Sequence, residues 1–192
     1  MSYQDEPEGS QVDGEFVRLK KMVKDAHAAR SDWRKEAARA FDLVNNHQWD
    51  EEDAQLLAEQ NRPAVSFNRT APLIKAVCGL EVNNRQMVAY LPRKAGNVGV
   101  DESRTACAKW ARDLCNAEDE ESEAFRDLAI CGEGWTETRM DYDTEPTGLI
   151  VQERIDPLEM GANVGACRAN YKDSRLLYRV REMDSADAQA LS

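Results

Sequence analysis

Apolar residues near the N-terminus recur at alternating steps of three and four positions. Between residues 15 and 47 this spacing places nine positions on one side of a helix, and eight of them are apolar. The pattern predicts a single helix of about 50 Å, at roughly 1.5 Å per residue. Packing on its own domain and contact with a neighbouring subunit are both compatible with it. The nine positions are Phe16, Leu19, Val23, Ala26, Arg30, Trp33, Ala37, Ala40 and Val44.

A short helix is predicted to follow Asp50, which is a good N-cap residue. Its first turn carries Glu51, Glu52 and Asp53, and these acids suit the positive end of the helix dipole. An acidic metal cluster is the alternative, but consecutive residues on a helix point in different directions and do not converge on one ion. The acids are therefore interpreted as structural.

The segment NRPAVSFN, residues 61–68, is predicted to form a fixed corner between this helix and the next. Pro63 disfavours the helical conformation at Arg62 and so ends the first helix. The four residues AVSF are expected to be extended. Asn68 is expected to cap the second helix, whose apolar face begins at Leu73.

The remainder of the chain predicts further helices and several short strands. One helix is expected to open at Asp101 or Ser103. Another is expected to begin with four consecutive acids, which suit the helix dipole, and to stop at Gly132. The hexapeptide DTEPTG suits a hairpin loop between two of the strands. The predicted fold is α+β and helix-rich, with a long N-terminal helix and further helices packed on a small antiparallel sheet. The predicted strands are 86–92, 135–142, 149–155 and 174–182, and a last helix is predicted from Ser185.

Charge and composition exclude several classes of protein. The chain has 192 residues, with 36 acids against 25 bases and a formal charge of −11. Such a surface disfavours a protein that wraps nucleic acid, although it is compatible with DNA that slides past without being gripped. Residues 1–14 are acidic and are predicted to be a disordered lead-in rather than a signal peptide, and no apolar run is long enough to span a membrane.

The five cysteines do not predict a disulfide framework or a zinc site. Their number is odd, no CxxC pair occurs, and the chain has only two histidines. Small buried thiols in a reducing compartment are the expectation. The cysteines are Cys78, Cys107, Cys115, Cys131 and Cys167.

No catalytic, cofactor-binding or metal-binding residue is predicted. The glycines of CGEGW precede a strand rather than open a helix, and no phosphate-binding motif is complete. The acidic run DYDTEPTG lacks the glycine and glutamate of an EF-hand loop. His27 and His47 lie in or at the end of the long helix, away from any nucleophile motif. An enzyme that uses dispersed carboxylates with a metal stays as an alternative.

Four segments occur in a recognisable order: NNHQWDEEDAQLLAEQNRPAVSFNR, VCGLEVNNRQMVAYLPR, EAFRDLAICGEGWTETRMDYD, and IDPLEM with NYKDSRLLYRVREM. Together they resemble the portal proteins of short-tailed bacteriophages, the podovirus-type portal family, over about residues 40–183. That family has a Gln-Trp pair and an Arg-Pro link, then an Asn-led helix ending in Gly-x-Glu and Asn-Arg, and later a Cys-Gly-x-Gly-Trp step. The matching residues are Gln48, Trp49, Arg62, Pro63, Asn68, Gly79, Glu81, Asn84, Arg85, Gly132, Gly134 and Trp135.

The resemblance implies a structural subunit of a homo-oligomeric ring, typically of about twelve copies, at one vertex of the phage capsid. Its partners would be terminase, capsid and tail or adaptor proteins, with DNA passing through the channel during packaging and ejection without sequence-specific binding. It implies no catalysis, cofactor or membrane, and a location in the virion after assembly in the host bacterial cytoplasm. The alternative is a non-enzymatic cytosolic helical adaptor.

The resemblance also implies a domain organisation. Residues 15–183 would form the N-terminal, wing-like domain of a portal, and residues 184–192 would begin a truncated following element. Portal proteins are considerably longer than this chain. The segment GANVGACRANYKD also departs from the continuation expected after IDPLEM.

Two motif residues carry specific expectations. Arg62 is expected to add a charge-assisted bond to an acid such as Glu52 or Glu59, which would strengthen the proline corner. Trp135 is expected to bury its ring where a helix turns into the sheet.

Overall fold

The computed structural model describes residues 8–85, 89–91, 98–163, 165–182 and 184. Over these residues it confirms a helix-rich α+β fold. The helices are α1 (Glu8–Ala29), α2 (Ser31–Val44), α3 (Glu51–Glu59), α4 (Thr70–Asn83), α5 (Val98–Leu114) and α6 (Ala117–Cys131). The strands are β1 (Trp135–Asp141), β2 (Leu149–Ile155), β3 (Met160–Ala162) and β4 (Leu177–Arg179).

The chain divides into two compact units. One is residues 37–157, and the other combines the residues up to Glu36 with those from Leu158 onward. In the second unit α1 packs on β3, and the ring of Tyr178 covers Gly161 so closely that an added Cβ would lie 2.2 Å from it. His27 meets Tyr178 edge-on, with ring centroids 6.3 Å apart.

Few apolar side chains are fully buried in either unit, and most of them are small. In both units, large apolar side chains on α1, α4 and α5 are instead among those left exposed. A chain of this size is long enough to bury a substantial core. The buried apolar side chains described are Ala37, Val44, Ala117, Ala124, Ile155 and Pro157 in one unit, and Ala26, Ala162 and Tyr178 in the other.

The prediction of one uninterrupted helix over residues 15–47 is wrong. The helix is interrupted at Arg30, the one charged position in the apolar stripe. There the guanidinium of Arg34 donates a 2.6 Å hydrogen bond to the carbonyl of His27, so a side chain takes the place of part of the helical backbone pattern. The guanidinium of Arg30 also stacks 4.3 Å above the ring of Trp33.

Helices α2 and α3 end in the same way. Asn46 and Asn61 adopt left-handed backbone conformations, with φ of 69° and 53°. In each case the next N–H bonds a carbonyl five residues back, as from Arg62 to Leu57 at 2.8 Å and from His47 at the same distance. This is the Schellman arrangement, which satisfies carbonyls that the helix leaves unpaired. The proline after Arg62 then prevents the helix from resuming.

Several predicted boundaries are corrected. Helix α1 begins at Glu8, seven residues before the predicted start, and α5 begins at Val98 rather than at Asp101 or Ser103. Asp50 occupies the N-cap position of α3, but its side chain makes no capping hydrogen bond. The strand predicted over 174–182 is reduced to β4. Of the strand predicted at 86–92 only residues 89–91 are described, and they are irregular, while the helix predicted from Ser185 lies outside the described residues.

The predicted hairpin is confirmed. Strands β1 and β2 pair antiparallel from Trp135 opposite Ile155 to Asp141 opposite Leu149. The carboxylate of Asp141 begins the loop by accepting the Thr144 hydroxyl at 2.8 Å. Strands β3 and β4 form a separate two-stranded sheet, so the single predicted sheet is two.

The five cysteines are free, but the expectation that they are buried is wrong. Cys107 and Cys167 are exposed, and Cys78, Cys115 and Cys131 are half-buried. Burial raises the pKa of the Cys131 thiol, and that of Cys78, above the ordinary value.

Candidate functional site

Helix α6 is the centre of the 37–157 unit, because α4, α5 and both strands of the β1–β2 hairpin pack against it. Ala117 and Ala124 are buried along it, and their small side chains allow close approach of neighbouring elements. The helix ends at Gly132, whose φ is 85° and whose N–H bonds the Leu128 carbonyl at 2.9 Å. The predicted stop at Gly132 is confirmed.

An ion pair between a buried acid and a half-buried arginine joins α6 to β2. The Arg154 guanidinium donates from Nε and Nη2 to the two carboxylate oxygens of Asp127, the second at 3.0 Å. Asp127 is only 1% exposed, and burial raises the pKa of its carboxyl while Arg154 opposes that rise. The backbone N–H of Arg154 also donates to the Glu120 carboxylate at 2.6 Å. Arg154 therefore joins the hairpin to α6 twice, by its side chain and by its backbone.

A second ion pair joins α6 to α5. Arg112 donates two hydrogen bonds to the carboxylate of Glu121, at 2.6 and 2.7 Å, in the bidentate geometry that arginine favours. Gln152 on β2 donates to the same carboxylate at 3.1 Å. The Arg112 guanidinium holds the pKa of the Glu121 carboxyl below its ordinary value. One acid thus connects three elements.

The motif residues Glu81 and Arg85 join α4 to α6. The Ser122 hydroxyl donates to Glu81 at 2.8 Å and accepts from Arg85 at 2.7 Å. Arg85 also pairs with Glu118 at 2.8 Å. Glu81 and Arg85 are four positions apart near the end of α4. Together they form one polar cluster with side chains in the first two turns of α6.

The Gly-x-Gly-Trp step places the start of β1 directly on α6. A Cβ added at Gly134 would lie 2.0 Å from the carbonyl oxygen of Ala124. Because this oxygen belongs to the backbone, it cannot move aside to relieve the clash. A Cβ at Gly132 would meet nothing within 4 Å, so that glycine serves the left-handed turn alone. Trp135 is half-buried rather than buried, and its indole N–H donates to Glu133 at 3.4 Å.

Asn68 connects the start of α4 to the end of α2. Its side-chain oxygen accepts from the N–H groups of Thr70 and Ala71, at 3.1 and 2.9 Å, which confirms the predicted cap. Its side-chain nitrogen donates to the Val44 carbonyl at 2.8 Å. At the other end of the helix, the Asn84 side chain donates to the Leu80 carbonyl at 2.7 Å.

The other motif residues are not gathered at this junction. Gln48, Trp49, Arg62 and Pro63 are exposed. The expected bond from Arg62 to Glu52 or Glu59 is wrong: its guanidinium makes no ion pair among the described residues, and its contribution is the backbone N–H that closes the end of α3. Gly79 lies within α4, with nothing within 4 Å of an added Cβ.

The described residues contain no group of His, Cys, Asp or Glu side chains that could hold a metal ion. A shallow recess of about 200 Å³ lies beside the start of α6, lined by charged and polar side chains. In the described part of the chain, no helix combines the length and apolar character needed to cross a bilayer. The recess is lined by Arg112, Asp113, Asn116, Glu118 and Asp119.

The junction depends on residues that sequence reasoning missed. Asp127, Arg154, Arg112 and Glu121 were not singled out, since their partners lie between 9 and 34 positions away and no spacing rule pairs them. A signal existed only for Asp127, which stands among apolar residues in the second half of α6.

Comparison with known proteins places this architecture in a family. The model of the phage P22-like portal protein family matches residues 20–192, which include the whole α4–α6–hairpin junction. A search of curated proteins found no match to the chain. Because the family model matches nearly the whole chain, the chain belongs to the phage P22-like portal protein family.

Proposed function

We propose that this protein is the structural subunit of a portal ring, a closed assembly of typically about twelve identical copies at one capsid vertex. The observation that carries the proposal is the portal family match over residues 20–192. In this proposal the ring is the channel through which terminase packs DNA and through which the genome leaves, and the subunit itself catalyses no reaction. Capsid and tail or adaptor proteins are its further partners in the virion, after assembly in the host cytoplasm.

The geometry supports a role in holding shape. The elements around α6 are joined by bidentate ion pairs and by a backbone contact at Gly134 that leaves no room for a side chain. Glu81, Asn84, Arg85, Asn68, Gly132 and Gly134 are proposed to fix the angles between helices, within a wing-like domain over residues 15–183. Large exposed apolar side chains on α1, α4 and α5 suit a subunit that is covered by others.

Mass photometry and negative-stain electron microscopy of the purified protein test the proposal. Closed rings of uniform copy number are expected, because identical subunits that contact one another head to tail close when the rotation permits. Quantitative mass spectrometry of purified virions should find the protein at a copy number that matches one ring. A protein that stays monomeric at all accessible concentrations and is absent from virions would rule the proposal out and favour the adaptor.

A further inference from the structure

Charge is unevenly distributed along this acidic chain. Residues 60–80 form its longest stretch without an acid, 21 positions in a sequence that has 36 acids. Residues 60–85 hold four bases and one acid, a net charge of +3, which leaves −14 for the rest. The one acid is Glu81, which is turned toward Ser122 and Arg85 at the α4–α6 contact. The remaining surface of this segment therefore carries no negative side chain.

The same segment carries a bare apolar surface. Leu73, Val77 and Leu80 lie on one side of α4 and are 64%, 37% and 64% exposed. In the link before the helix, Val65 and Phe67 are 55% and 81% exposed. We call these five residues the α4 apolar stripe.

The α4 apolar stripe lies apart from the face of the helix that is already used. Ile74, Cys78 and Glu81 are half-buried and lie about 100° further round the helix, on the side that packs on α6. A helix that is apolar on both sides is normally covered on both sides. Within the described residues only one side of α4 is covered.

The size of the stripe fits a protein interface. At roughly 150–200 Å² for a large apolar side chain, the exposed fractions of the five residues amount to about 500 Å². The summed area is in the range of a large apolar patch on a monomer, and it is more than half of the roughly 800 Å² that one partner buries in a stable interface.

We propose that the α4 apolar stripe, together with Arg62 and Arg69 beside it, binds a surface of a second copy of this chain that carries both exposed apolar and acidic side chains. Both arginines are exposed and make no ion pair among the described residues. A second copy brings a net −14 outside its own segment 60–85, so it supplies the complementary charge. The contact joins two different surfaces, since two basic segments would repel one another, and such head-to-tail contacts are those that close rings. The inference rests on the proposed ring and names the surface that builds it.

Nucleic acid is the competing occupant. Phosphate binding depends on several clustered cations and gains little from five large apolar side chains. The ratio of apolar to basic residues here therefore favours protein.

The test compares variants of the whole chain by sedimentation velocity and mass photometry. Leu73→Asp with Leu80→Asp should raise the concentration for half-assembly at least tenfold, with an unchanged circular-dichroism spectrum because both side chains are already exposed. The control is Leu177→Asp with Val180→Asp, which adds the same charge at exposed apolar positions and should assemble as wild type. Equal loss in the two variants would overturn the inference.

The charge component has its own pair of variants. Arg62→Glu with Arg69→Glu should weaken assembly severalfold, more at low salt than at high salt, while Lys35→Glu with Lys172→Glu changes net charge equally and should have no effect. If both pairs assemble as wild type, the assigned surface is wrong although the ring stands. If the wild type itself does not assemble, the proposed function fails first. Binding of a DNA duplex in fluorescence anisotropy that Arg62→Glu with Arg69→Glu abolishes, with assembly unchanged, would assign the surface to nucleic acid instead.

Discussion

The face of α4 that packs on α6 and the face that bears Leu73, Val77 and Leu80 differ in both chemistry and exposure. The packed face ends in the polar cluster that Glu81 and Arg85 form with their partners on α6. The other face is apolar and bare. The packed face also holds Ile74 and Cys78, and in an isolated domain a second apolar face would normally be covered as well.

This difference indicates how stability and association are divided in the 37–157 unit. Its buried apolar residues are few and mostly small. Ion pairs and backbone contacts around α6 therefore contribute much of the stability that holds the elements together. Several of the larger apolar side chains, such as Phe67, Leu73 and Leu80, are exposed and are available for contacts between copies. Substitutions at the junction should therefore affect the monomer, and substitutions on the stripe should affect assembly.

The largest effect is expected at the ion pair of the buried Asp127 with Arg154. Arg154→Met should cost about 3 kcal/mol in the free energy of unfolding, because it leaves Asp127 buried without its partner. Chemical denaturation followed by circular dichroism measures this cost. Arg139→Met is the matched control on the same hairpin, since Arg139 pairs with Glu153 in solvent and its loss should cost far less. Equal costs would show that the junction is not the principal source of stability.

Gly134→Ala should follow, at about 2–3 kcal/mol, since the added methyl meets the Ala124 carbonyl and forces β1 away from α6. Gly132→Ala should cost about 1 kcal/mol, from the left-handed backbone alone. Thermal unfolding distinguishes the two. The opposite order would mean that β1 can move away from α6 at little cost.

Asn68→Ala should cost about 1–2 kcal/mol, because it removes the cap of α4 and the bond to the Val44 carbonyl together. Asn68→Asp separates the two contributions, since it keeps the capping oxygen and loses only the donor to Val44. Its cost should be clearly smaller than that of Asn68→Ala in the same denaturation experiment. Identical losses would place the whole effect in the link to α2.

Local signals predicted much of this structure. The Asn68 cap, the Gly132 stop and the β1–β2 hairpin follow from residues a few positions apart, and each is confirmed. The interruption at Arg30 was visible as a charged residue in an apolar stripe, but the period alone does not distinguish a bent path from a straight one.

The sequence did not predict which residues bond to one another across long sequence separations. Arg62 was assigned an acid from sequence proximity, yet its backbone N–H closes α3 and its guanidinium stays exposed. The acids at the start of α6 were attributed to the helix dipole. In the structure, Glu120 accepts a hydrogen bond from β2 and Glu121 accepts hydrogen bonds from α5. Those choices depend on tertiary placement, which neither periodicity nor capping rules contain.

The pair of Glu121 and Arg112 provides a smaller, pH-dependent test of the junction. Since the pKa of Glu121 is lowered from 4.5, the folded protein binds this proton less tightly than the unfolded chain does. The stabilisation is complete above pH 4.5 and is lost as the pH falls through the folded-state pKa. Glu121→Gln should be less stable than wild type at pH 7, and the gap should narrow below pH 4.5. If the difference in stability between Glu121→Gln and wild type stays constant with pH, the interaction of Arg112 with Glu121 does not depend on the charge of Glu121.

The smallest effect has the opposite sign. Gly79→Ala should raise the free energy of unfolding by about 0.5–1 kcal/mol, because α4 gains helix propensity and the methyl meets nothing within 4 Å. Thermal unfolding at low protein concentration measures it, with Gly132→Ala as a control in which open space is not enough. If Gly79→Ala stabilises the monomer and weakens assembly, the absent side chain matters to a neighbouring copy, and the region of α4 reserved for association extends beyond the apolar stripe. If it destabilises the monomer, Gly79 belongs to the packed face of α4, and that face is wider than the half-buried residues indicate.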